Sequence, residues 1–198
     1  MQQFWDERYA SSDYVYGEAP NRFLAEQLPN IPPGRALFPA EGEGRNAAYA
    51  ASLDWEVDAF DYSRSAQRKA EQLFERQGVQ VNYTVSSVEA YAFNPHHYDL
   101  VFLCYAHLPP PQRAYLHQQA AQALRKGGRL LLEGFHKEQL GRSSGGPKKE
   151  EMLFSLEQLE KDFGLLDIRE LEKRSVHLEE GDYHQGEAAV VRMIARKL

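Results

Sequence analysis

Between Leu37 and Asp61 the sequence places a small set of residues whose types and spacing suit an adenosine-containing ligand. The stretch Ala40-Glu41-Gly42-Glu43-Gly44-Arg45-Asn46-Ala47 puts glycines where the main chain must turn sharply and approach a ligand without a Cβ in the way. A helix that follows such a loop offers unpaired N–H groups to a carboxylate or phosphate. Asp61, in Ala59-Phe60-Asp61-Tyr62-Ser63, supplies a carboxylate able to accept two hydrogen bonds from a ribose diol. Gly42-x-Gly44-x-x-Ala47 also satisfies the dinucleotide fingerprint, with Asp61 near the distance expected of a ribose-binding acid. A nicotinamide-dependent oxidoreductase therefore stays open on these residues alone.

Positioning them requires strands and helices in alternation. Arg35 to Ala40 reads as a buried strand, followed by a helix through Asn46 to Ser52. Trp55 to Phe60 is a second strand, Ser63 to Arg76 an amphipathic helix, and Val79 to Val85 a third strand. Tyr98 to Tyr105 is a fourth strand, Pro110 to Arg125 a helix closed by Gly127-Gly128, and Arg129 to Phe135 a fifth strand. After a helix near Ser155 to Phe163, Leu165 to Leu178 and Ala188 to Arg196 form a hairpin about Glu179-Glu180-Gly181-Asp182. The expected fold is α/β: a Rossmann-like, doubly wound, mostly parallel seven-stranded sheet with an antiparallel C-terminal edge hairpin. In such a sheet the glycine loop and Asp61 both lie at the carboxyl ends of neighbouring strands, where ligands bind.

The 198 residues suit one domain. Residues 1–30 are expected to cover the site, 31–135 to bind the cofactor, and 136–198 to add the last helix and hairpin. A net charge of −6 argues against a dedicated nucleic-acid binder. The single cysteine, Cys104, excludes an intramolecular disulfide and a cysteine-based zinc cage, and the histidines show no metal-ligand spacing. No apolar run approaches the roughly 20 residues that span a bilayer, and the start lacks the basic-then-apolar order of a secretory signal. A cytoplasmic protein without membrane attachment is expected; the sequence does not give its oligomeric state. Gly141-Arg-Ser-Ser-Gly-Gly-Pro147 reads as a loop, either slack or a lid.

The chain resembles class I S-adenosylmethionine-dependent methyltransferases, and within them the branch of tellurite-resistance and thiopurine methyltransferases. The likeness covers nearly the whole length. It rests on Phe4-Trp5-Asp6-Glu7-Arg8-Tyr9, Tyr16-Gly17-x-x-Pro20-Asn21, the segment Phe38 to Asn46, Asp61-Tyr62-Ser63 and Lys126-Gly127-Gly128. The resemblance implies that Pro39, Ala40, Glu41, Gly42, Gly44 and Asn46 pass beneath the methionine part of S-adenosyl-L-methionine. Asp61 would hold the ribose hydroxyls, with Tyr62 on the adenine and Ser63 beside it. Ser87 and Val88 would read the adenine edge, and Cys104 and Tyr105 would form the turn beside the methionine amino group. Trp5, Tyr9 and Tyr16 would cover the substrate side, and S-adenosyl-L-homocysteine would be the product. Phe38, Ala40 and Ser87 depart from the family's usual acid, glycine and aspartate. A short chain, a terminal hairpin and the lack of a Tyr-x-x-x-Lys pair after the fourth strand weigh against a dehydrogenase.

Methyl transfer from a sulfonium is a direct displacement, so the protein chiefly aligns nucleophile, methyl and leaving sulfur. A base is needed only where the acceptor holds a proton at neutral pH. For a small-molecule acceptor the candidates are His107 as a base or orienting group and Tyr105 as a lining residue, with Tyr16 and His136 nearby. His117 is expected on a helix surface, and Cys104 as a small buried residue rather than a nucleophile. A catalytically silent S-adenosylmethionine-binding module is the remaining alternative.

Overall fold

After its exposed first residue, strand β1 (Arg35–Pro39) is apolar because both of its faces are covered. Ala36 and Phe38 pack into one layer of helices and Leu37 into the other, all fully buried. The computed structural model describes residues 2–198. Helix α1 (Gln2–Arg8) and the short α2 (Arg22–Gln27) precede β1. Helix α3 (Arg45–Ser52), β2 (Glu56–Asp61), α4 (Arg64–Gln77), β3 (Asn82–Val85), β4 (Tyr98–Cys104), α5 (Pro110–Ala123) and β5 (Leu124–Phe135) follow in alternation. The chain ends with α6 (Leu156–Asp162), β6 (Asp167–Glu180) and β7 (His184–Arg196).

The seven strands lie in the order β3-β2-β1-β4-β5-β7-β6, with β7 antiparallel to both its neighbours and every other pair parallel, which makes the mostly parallel sheet with an antiparallel edge hairpin expected from the sequence. Helices α2, α3 and α4 close one face through Phe23, Leu24, Ala47, Leu73 and Phe74; α5 and α6 close the other through Leu116, Ala120, Leu159 and Phe163. Truncating any of the larger of these to alanine would cost about 2–5 kcal/mol. The order reverses between β1 and β4, so the loops that leave these two strands diverge and open a cleft. Among the described residues no helix is long and apolar enough to cross a membrane.

Three local expectations change. The third strand begins only at Asn82, where pairing with Asp58 starts; Val79 and Val81 instead pack beside α4. Lys126-Gly127-Gly128 does not end a helix but interrupts β5, whose register on β4 jumps between Tyr98↔Leu124 and Leu100↔Arg129. There the Gly127 N–H donates to the Lys197 carbonyl at 2.8 Å, so the glycines serve the strand's fit to the chain end. The hairpin is longer than its apolar pattern, with pairing that runs on to Glu180↔His184. That last pair matters for the site.

Candidate active site

The chain leaves β1 through Ala40, held at φ +52°, and continues through Gly42 (φ +66°) and Gly44 (φ +85°). A Cβ on Gly42 would meet the Tyr9 hydroxyl at 2.8 Å, and one on Gly44 would meet the Ala70 Cβ at 2.7 Å. Conformation and space both demand glycine here. The Gly42 N–H donates to Asp61 Oδ2 at 3.2 Å and the Ser63 N–H to Asp61 Oδ1 at 2.9 Å. Burial pushes the Asp61 carboxyl up to about 6 in spite of these bonds. Each of its oxygens still has acceptor capacity for a diol. The residues present thus fit an adenosine ribose at the switch point.

Glu41 changes the chemistry expected of the loop. Its Oε1 accepts the N–H groups of Asn46 at 2.9 Å and Ala47 at 2.7 Å, filling the N-terminus of α3. Burial raises this carboxyl to about 7, while the two main-chain bonds and Arg45 oppose the rise. A dinucleotide's pyrophosphate needs those N–H groups for itself. Here it would meet one buried carboxylate in its place and a second, Glu43, two residues on.

The N-terminal segment is fastened over this loop. Asp6 Oδ1 accepts from the Ser63 hydroxyl at 2.6 Å, and Trp5 stacks on the buried Tyr9 with ring centroids 5.4 Å apart. Glu43 Oε2 accepts the Val15 N–H at 2.8 Å and its other oxygen pairs with Lys69, which donates to the Asp13 carbonyl at 2.5 Å.

Other expected residues divide. Ala40, Tyr62, Ser87, Cys104 and Tyr105 are half-buried around the cleft, whereas Pro39 and Ser63 are buried and Val88 packs in the core with Phe60. Ser63 caps α4 by accepting from Ala66, and the Asn46 side chain accepts the Asn21 N–H at 2.8 Å rather than facing the cleft. Tyr105 has φ +48°, rare for a residue with a side chain, and is held at both ends by Glu133. Its N–H donates to the Glu133 carbonyl at 2.8 Å and its hydroxyl to Glu133 Oε1 at 3.0 Å. Burial pushes the Cys104 thiol well up, which leaves it inert.

The histidines are redistributed. His107 donates from Nδ1 to the Met152 carbonyl at 2.7 Å and accepts at Nε2 from the Phe135 N–H at 2.9 Å. Burial lowers it to about 4. Both nitrogens are thus engaged by main chain, an arrangement that ties the loop after β4 to Met152 and Phe135. His117 is not on the surface: it is 1% exposed and donates to Asp162 at 2.7 Å, because the segment leading into α6 wraps over α5. His136 caps its own turn, accepting from Glu138. The loop around Gly141 to Pro147 is packed down rather than slack, with Ser144 buried, accepting from Gln139 and donating to the Glu187 carbonyl.

Sequence reasoning missed a buried polar layer at the ends of β5 and the hairpin. Asn21 Nδ2 donates to Glu133 Oε1 at 2.7 Å and to Glu180 Oε1 at 3.2 Å. Arg192 donates to Glu133 Oε2 at 2.5 Å; Arg45 pairs with Glu180 Oε2 at 2.8 Å. The layer walls a cavity of about 530 Å³ that also touches Tyr16, Pro20, Val176 and Leu178. One signal was available: Glu133 ends the run Leu130-Leu131-Leu132, and an acid closing an apolar central strand is unusual.

Residues 39–128 match the family model described as a methyltransferase domain. That stretch holds the glycine loop, Asp61 and Tyr105. Solved structures resemble the whole chain at low identity. TehB from Haemophilus influenzae is 16% identical with a TM-score of 0.75, covering 100% of this chain and 67% of its own. A SAM-dependent methyltransferase from Methanosarcina mazei is 16% identical with a TM-score of 0.70, covering 91% of this chain and 99% of its own. The [4+2]-cyclase SpnF is 15% identical with a TM-score of 0.72, covering 99% and 94%. No curated protein matches the sequence. The fold is that of the Rossmann-like methyltransferases, and the methyltransferase-domain match lies across its parallel strands.

Proposed function

We propose that the protein transfers a methyl group from S-adenosylmethionine to a small-molecule acceptor by direct displacement, in the manner of the tellurite-resistance and thiopurine branch. The observation that carries this reading is the pairing of Gly42 with Asp61 at the switch point, beside a helix N-terminus already filled by Glu41. Such a loop has a diol-binding acid and no berth for phosphate, so it suits S-adenosylmethionine and disfavours NAD(P). The bound cofactor supplies an electrophilic methyl on a sulfonium. Asp61 would hold the ribose, Tyr62 and Ser87 would lie along the adenine, and the strained turn at Cys104 and Tyr105 would flank the methionine end. Trp5, Tyr9 and Tyr16 would exclude water from above. The likeness to TehB agrees with this branch.

The likeness to SpnF, a cyclase by its name, keeps a second reading in view: a cofactor-binding chain of this fold that does not transfer methyl groups. Calorimetry with S-adenosylmethionine, S-adenosylhomocysteine, NAD and NADP tests the cofactor, with Asp61→Ala as control. Binding of NAD or NADP with none of the sulfur cofactors would overturn the proposal. Turnover across a panel of small thiols, selenite, tellurite and small acids separates the enzyme from the silent module.

A further inference from the structure

Three histidines packed inside the molecule, His107 after β4, His117 on α5 and His184 at the start of β7, commit their ring nitrogens differently. Both nitrogens of His107 bond main chain, and Nε2 of His117 is sealed in the core. His184 stands apart. Its Nδ1 lies 3.3 Å from Glu180 Oε2, and no described group bonds its Nε2. The ring sits between Tyr16, at a centroid distance of 4.6 Å, and Tyr105, at 4.5 Å. Tyr105 continues directly from the end of β4 at the cleft, so one ring separates His184 from the turn that would flank the cofactor's methionine end.

We propose that His184, oriented by Glu180, is the general base that takes the proton of a protonated methyl acceptor. The inference rests on the methyl-transfer reading. Because a carboxylate cannot donate, Nδ1 carries the proton and donates it to Glu180, which leaves the Nε2 lone pair free. The cross-strand pair Glu180↔His184 holds the two side chains beside each other. Gly145 packs against the ring from below, where a Cβ would meet His184 Cδ2 at 2.8 Å. As the acceptor's X–H attacks, the X–CH3 bond forms and the methyl–sulfur bond breaks, its electron pair staying on sulfur. The proton of X–H passes to Nε2. The positive charge that leaves the sulfonium therefore ends on the imidazolium, beside Glu180.

The neighbouring donors also bear on the acceptor. The Tyr105 hydroxyl has spent its proton on Glu133, and Asn21 has directed its amide nitrogen to Glu133 and Glu180. This wall offers lone pairs rather than protons, so it complements a nucleophile that arrives with its proton, such as a thiol, amine or hydroxyl.

The charged and titratable groups around His184 are Glu180 on β6, Arg45 on α3, Glu133 on β5, Tyr16 in the N-terminal segment, Tyr105 after β4, and His107 beyond it. Burial lowers His184, and Glu180 opposes that, so removing the carboxylate should move its titration to lower pH.

The test compares wild type, His184→Gln and Glu180→Gln in methylation of an aliphatic thiol, protonated at neutral pH, and an arylthiol, largely ionised. S-adenosylhomocysteine affinity is measured for each by calorimetry, and the His184 tautomer by nitrogen NMR. The expected result is a loss of about 100-fold or more for the aliphatic thiol in His184→Gln, with the arylthiolate within about threefold and S-adenosylhomocysteine affinity retained. Imidazole should restore part of the loss, and Glu180→Gln should shift the acidic limb of the pH profile downward. Equal slowing of both thiols, or an NMR tautomer protonated at Nε2, overturns the proposal alone. Failure of the wild type to bind S-adenosylmethionine or S-adenosylhomocysteine overturns it together with the functional reading.

Discussion

The Glu41 carboxylate accepts the main-chain N–H of Asn46 at 2.9 Å, so the loop expected to receive a ligand's negative group supplies one of its own. The neighbouring Ala47 N–H binds the same oxygen. This contact stabilises α3 while burying an acid, and the two effects separate with pH.

The Glu41 pKa is raised from 4.5 to about 7, mainly by burial. For a raised acid, the stabilisation is fully present below the unfolded pKa and is lost as pH rises through the folded one. Glu41→Gln keeps the accepting oxygen and removes the ionisation. Its stability should approach that of wild type near pH 5 and exceed it at pH 8, by on the order of 1–3 kcal/mol. Urea denaturation across that range checks this; parallel curves for the two proteins would refute it.

Asp61 makes the opposite demand on a ligand. A ribose diol donates to the ionised carboxylate, whose pKa in the free protein is about 6. S-adenosylhomocysteine affinity should be level above about pH 7 and fall as pH drops through 6. Asp61→Asn should flatten that profile, and Asp61→Ala should weaken binding roughly 10–100-fold at pH 7.5, the cost of charge-assisted bonds. Calorimetry at four pH values decides the matter.

Much of this architecture is legible locally. The alternation of strands and helices follows from the spaced apolar runs, and the glycines and Asp61 meet because each ends a neighbouring parallel strand. What escapes a reading of the sequence is set across the chain. Asn21 and Glu133 are 112 residues apart and Asn21 and Glu180 are 159 apart, so no window joins them. His107 looked available because a histidine after β4 is well placed, but its partners, Met152 and Phe135, come from later segments. Glu41 is a subtler case: the loop's shape invites a ligand, and only the side chain's direction shows that its carboxyl bonds the N–H groups of Asn46 and Ala47.

His107 has a structural signature that mutation should expose. His107→Ala would leave the Met152 carbonyl and the Phe135 N–H without their partner, at about 1–3 kcal/mol for each group that stays buried. Thermal stability should fall, while S-adenosylhomocysteine affinity in the folded fraction stays within about threefold. Retained stability with lost turnover would return His107 to the chemistry.

Glu43 and Lys69 form the buried pair that joins the glycine loop to the N-terminal segment. Burial alone would raise the Glu43 carboxyl, and Lys69 opposes that. Removing one partner strands the other charge, so Glu43→Gln or Lys69→Met alone should each cost about 3–5 kcal/mol. The double variant leaves no buried charge and should recover a large part of that loss. It still lacks the lysine's hold on the Asp13 carbonyl and weakens the grip on the Val15 N–H. Recovered stability should therefore coexist with faster hydrogen exchange across residues 13–16 and faster cleavage there by a protease. Additive losses in the double variant would show that the two side chains act independently, and that the segment is held by Asp6, Tyr9 and Tyr14 instead.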